Sequence, residues 1–199
     1  MEVISVYPIP GFREPVSCFS HLLAAPVFAA FGWYLLRRAW GSWGRAVCVA
    51  IMVFTTVFLL SMSGVYHLLG PGTGRYVLRQ LDMAGVFAMI AGTATPIHGI
   101  LFRGFRRWAP LAYIWTAAAT GITLMNVFAA RVSVGSATVI FLVLGWGGLY
   151  SYIMLCRRYG ATFAEPFLWG GVAYTVGAIA LLTKGPTLIP GVVGPHKLW

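Results

Sequence analysis

Charge is scarce in this sequence. Only 9% of its 199 residues are charged, and only four of those are acidic. A soluble domain carries about 25% charged residues. So few ionised groups exclude a surface that faces water, and the solvent for most of the chain must be lipid. Cysteine is scarce too: Cys18, Cys48 and Cys156 stand alone, with no CxxC pair. Three isolated thiols exclude a disulfide framework and a thiolate metal site, and each reads as a small core residue. A basic leader is missing, since Glu2 precedes the first cation, Arg13, so the first apolar run is expected to be a retained helix. Neither a soluble segment nor an internal repeat is evident, and the expected organisation is one integral membrane domain over residues 1–199.

What fills the chain instead is apolar, with 59% hydrophobic residues. The cations give a net charge of +10. They fall in short clusters between apolar runs, such as Arg37-Arg38 and Arg103 with Arg106-Arg107. Cations at such positions meet lipid headgroups, and the pattern argues against nucleic acid as a partner. A spanning helix needs roughly 20 apolar residues. Six runs qualify as helices, near residues 16–36, 46–69, 81–102, 108–130, 134–156 and 167–182. The expected fold is therefore all-α, a polytopic transmembrane bundle with short links between antiparallel neighbours. Small residues inside the runs, such as Ala117-Ala118-Ala119 and Gly147-Gly148, read as packing devices.

Ionisable groups inside membrane helices are costly, and by default they mark function. His21, His67, Asp82 and His98 are of this kind, with Glu14 just before the first helix and His196 after the sixth. Counting helices by parity puts Glu14, His21, Ser63, His67, Asp82 and His196 at one face of the membrane. His98 lies sixteen residues beyond Asp82, or about 24 Å along a helix, and reads as structural beside Thr95 and Pro96. Ser63 and His67 are four apart and share a helix face. A neutral imidazole ligates zinc well, and a neighbouring carboxylate can hold a water or take its proton. A zinc ion with three protein ligands and one open position lowers the pKa of a coordinated water to about 7. Each residue also has a structural reading. His67 could bond a backbone carbonyl, Asp82 could cap the third helix with Arg79 as its ion partner, and Ser63 could bond back to its own helix. Their gathering at one level is poorly explained by caps alone.

Three stretches resemble one known family. They are Glu14-Pro15-Val16-Ser17-Cys18-Phe19-Ser20-His21; Ser63-Gly64-Val65-Tyr66-His67 followed by Leu81-Asp82-Met83-Ala84-Gly85 and Gly92-Thr93-Ala94-Thr95-Pro96; and Gly194-Pro195-His196 near the end. The chain resembles the hemolysin III proteins, bacterial members of the progestin and adipoQ receptor family, which includes the adiponectin receptors. Ser17 departs from the family's usual Asn. The resemblance implies a seven-helix fold with zinc near one face of a bacterial inner membrane. It implies His67 and His196 as zinc ligands, Asp82 as the holder of the attacking water and Ser63 beside it. Through the related alkaline ceramidases it implies hydrolysis of a lipid amide, with membrane lipids as partners. The second His of the family's HxxxH would be residue 200, so the expectation is a chain truncated before its seventh helix. His21 is an alternative ligand if its helix packs on the second at the right rotation. Two other functions stand beside this one: a non-enzymatic receptor or stress sensor with structural zinc, and a pore-forming cytolysin. Six cations fall on the side of the polar residues and eight on the other, too even a division to set the orientation.

Overall fold

The computed structural model describes residues 11–129 and 131–187, without the Val134 side chain. It is all-α. Its helices are α1 (Pro15–Ala39), α2 (Trp43–Leu68), α3 (Thr73–Leu101), α4 (Phe105–Val127), α5 (Val134–Trp146), α6 (Gly148–Tyr159) and α7 (Ala161–Thr183). Among the described residues five spans are long and apolar enough to cross a membrane: α1, α2, α3, α5 with α6 taken together, and α7. Their exposed side chains are large and apolar, among them Leu23, Phe54, Val143 and Val176. A helical surface of this kind suits lipid, and the chain is an integral membrane protein. The fourth helix is less apolar, with Thr116, Thr120, Thr123 and Asn126 along it. Two of these satisfy their polar atoms on their own helix: Thr123 Oγ1 donates to Ala119 O at 2.9 Å and Asn126 Nδ2 to Ile122 O at 2.8 Å.

The helices match the expected runs, with three differences. The third begins at Thr73, eight residues before Leu81, because Gly70-Pro71-Gly72 makes the whole turn and Thr73–Gln80 already coils. The run at 134–156 is broken at Gly147 into α5 and α6. The last begins at Ala161, before residue 167, since Glu165 is the only charge in its first two turns. Chain reversals fall on Gly104 (φ +59°) and Gly160 (φ +90°), left-handed positions that suit glycine.

Helices α1 to α4 pack as one compact unit, and α5 to α7 as another. Apolar burial drives little association in lipid, so close backbone approach takes its place. In the first unit the notches that permit it also fix the register. Gly32 receives Val53, and Gly64 receives Leu22, so α1 and α2 run antiparallel. Gly85, Gly92 and Gly99 on α3 receive Leu59, Thr55 and Cys48 on α2. Gly121 on α4 receives the Phe87 ring of α3. A methyl group at Gly64 would lie 2.6 Å from Leu22 Cγ, too close for any neighbour to accept unmoved. In the second unit Tyr174 of α7 lies against Gly145, and Phe167 against Gly148.

Candidate functional site

The register brings the start of α1, the end of α2 and the first turns of α3 to one end of the first unit. The end of α2 needs partners, because a helix leaves its last carbonyls without intrahelical donors. The segment before α1 supplies two. Arg13 N donates to Leu68 O at 3.3 Å and Glu14 N to His67 O at 3.1 Å. Arg75, on the first turn of α3, supplies more: its Nη1 donates to Tyr66 O and to Leu69 O, each at 2.7 Å. Residues 73–79, ahead of the expected start of the third helix, are therefore its first turns and close over the end of α2.

This backbone frame aims the Glu14 carboxylate at two partners. Its Oε2 lies 3.0 Å from His67 Nδ1 and its Oε1 accepts from Arg75 Nη2 at 3.1 Å. The Arg75 guanidinium also lies over the Tyr66 ring, 4.2 Å from its centroid. His67 is only 3% exposed. With Nδ1–H given to a carboxylate, the neutral imidazole carries its lone pair on Nε2. Ligating histidines commonly have their other ring nitrogen held in this way. Ser63, one turn back on α2, is buried, and its hydroxyl interacts with the Asp82 carboxyl of α3. Asp82 also lies within electrostatic reach of His67, Arg79 and Glu14. The His21 ring meets His67 edge-on, with centroids 5.8 Å apart, so α1 packs on α2 with His21 beside His67.

Glu14, Ser63, His67 and Asp82 thus come together, and His21 borders them. His196 lies outside the described residues. The capping reading of Asp82 fails, because α3 begins nine residues before it. The carbonyl reading of His67 gives way to the bond with Glu14. His98 belongs to the opposite end, where its Nδ1 lies 3.0 Å from Arg106 O and its ring stacks on Phe102. Sequence reasoning missed the partners of Glu14. The available signals were that it is one of four acidic residues, and that Arg75 sits close behind Gly70-Pro71-Gly72. As a zinc site the described residues are partial. They offer His67, its Nδ1 held by the Glu14 carboxylate, and Asp82 nearby. Among the described residues no group of three His, Cys, Asp or Glu is placed to hold a metal ion.

Three comparisons bear on this arrangement. The family model described as Haemolysin-III related matches residues 11–199. Hemolysin-3 of Bacillus cereus is 31% identical over 138 residues, which are 67% of this chain and 63% of that protein. The Hemolysin-3 homolog of Bacillus subtilis (strain 168) is 29% identical over 146 residues, which are 73% of this chain and 68% of that protein. The aligned part thus spans less than two thirds of the Bacillus cereus relative.

Proposed function

The chain belongs to the haemolysin-III related family, and we propose that its polar end is a zinc-dependent hydrolase-type site acting on a lipid amide at one face of a bacterial inner membrane. The observation that carries this reading is the bond from His67 Nδ1 to the Glu14 carboxylate, made beside the Ser63 and Asp82 pair. His67 and His196 are the residues assigned to hold the zinc, which when bound supplies Lewis acidity for activating water. The chain's own groups do the rest. Glu14 fixes the His67 ring and its tautomer. Asp82 orients the attacking water and takes its proton, as a carboxylate base does. Ser63 holds Asp82 in place, or donates to the oxygen that gains charge as the amide carbonyl is attacked. The site sits at a helix end, so a lipid can present its polar linkage there while its chains stay in the bilayer.

The test is release of fatty acid from a long-chain ceramide in mixed micelles containing zinc. Turnover is expected, reduced about 100-fold or more in Asp82→Asn, since a general base contributes at least that much. No turnover by the wild-type protein overturns the hydrolase. One observation favours a second reading. Glu14 and Arg75 tie the segment before α1, the end of α2 and the start of α3 into one clasp. Zinc-dependent stability without turnover assigns the site to a receptor or sensor, in which the metal serves that clasp.

A further inference from the structure

The other end of the α1–α4 unit has a different chemistry. Arg37 and Arg38 lie on the last turn of α1, Arg45 on the first turn of α2, Arg103 just after α3, and Arg106 with Arg107 on the first turn of α4. The carboxylates described in this unit, Glu14 and Asp82, are both at the far end. From Asp82 to Arg103 is about 32 Å along α3 at 1.5 Å per residue. The bonds that the Glu14 carboxylate makes with His67 and with Arg75 involve none of these six arginines. The first turns of α2 and α4 add the positive ends of two helix dipoles, and neither N-cap, Ser42 or Gly104, places a side chain on them. Two arginines in the first turn of α4 oppose that dipole, an arrangement that an anion would relieve.

These helix ends meet. Gly99 of α3 lies against Cys48 of α2, one turn from Arg45, and His98 bonds the Arg106 carbonyl of α4. Arg107 is near enough to Cys48 for its charge to act on the thiol. Its guanidinium lies 4.8 Å from the centroid of the Trp108 ring, and its Nε is shut off from solvent with no hydrogen-bond acceptor among the described residues. The surrounding aromatics place this end at headgroup depth: Trp40, Trp43, Phe105 and Trp108 are 78%, 84%, 83% and 63% exposed.

We propose that this end binds the phosphate of an anionic phospholipid headgroup, seated on Arg45 and Arg107, with the acyl chains along the apolar outer faces of the helices. The full chain would be purified in detergent and its bound lipid counted by native mass spectrometry. Phosphatidylglycerol, phosphatidylcholine and inorganic phosphate would be compared as probes. Phosphatidylglycerol is expected to bind at least tenfold more tightly than phosphatidylcholine. Arg45→Gln and Arg107→Gln should each weaken it about fivefold, the share of one arginine near an anionic surface. Arg131→Gln removes the same charge elsewhere and should leave binding unchanged. Equal binding of the two lipids by the wild-type protein overturns the proposal, whether or not the variants fold. So does an equal loss in Arg131→Gln, which means charge attraction without a site. Displacement of phosphatidylglycerol by millimolar inorganic phosphate overturns the lipid assignment and leaves a free-anion site.

Discussion

At one end of the α1–α4 unit, Glu14 meets both His67 and Arg75; at the other, six arginines stand with neither of the carboxylates described in that unit, Glu14 and Asp82, beside them. The same four helices build both ends, and the same kind of glycine notch holds them together. The difference lies in what satisfies the charge. At the polar end the partners are within the chain, so charge there is structure: removing a member leaves a buried group unmatched. At the basic end the proposed partner is a lipid phosphate from the bilayer, so charge there would serve binding. A mutation should therefore cost stability at the first end and lipid affinity at the second.

The largest expected effect is at Glu14. Glu14→Ala strands the buried His67 and the Arg75 guanidinium and should cost about 3 kcal/mol, read as a drop in melting temperature in detergent. Next is Gly64→Ala, whose added methyl meets Leu22 and should cost about 2 kcal/mol by overpacking. Gly99→Ala puts a methyl against Cys48 at the basic end and should cost a similar amount. The two differ in consequence. Only Gly64→Ala should lower zinc content, measured by elemental analysis, because only Gly64 lies one turn from His67. Arg75→Gln, which loses the bonds to Glu14, Tyr66 and Leu69, should cost about 1–2 kcal/mol. The smallest effect belongs to Arg103→Gln, which should leave the melting temperature in neutral detergent unchanged. Equal destabilisation by Arg75→Gln and Arg103→Gln would erase the distinction between the ends.

The spans were legible because lipid imposes one strong pattern, a long apolar run ended by cations. The gathering of Ser63, His67 and Asp82 was legible from helix parity, and the edge contact of His21 with His67 needed only the rotation of α1. The start of α3 was not legible. Arg75, Arg79 and Gln80 look like a loop to a hydropathy reading, yet they coil because Arg75 bonds the carbonyls that end α2. Glu14 was visible as an isolated acid, but its aim at His67 depends on the backbone bonds of residues 13 and 14 to α2, which leave no periodic trace. The Trp115 Nε1 donation to Thr95 Oγ1 at 3.1 Å joins residues twenty positions apart, and no local motif announces it.

The most direct test is the zinc content of the purified chain, measured by elemental analysis beside His67→Ala and Glu14→Gln. The account predicts about one zinc per chain in the wild type, none in His67→Ala, and a 10- to 100-fold weaker affinity in Glu14→Gln, the usual cost of losing the group that orients a ligating histidine. Zinc retained in full by His67→Ala, or absent from the wild-type protein after zinc loading, would contradict it.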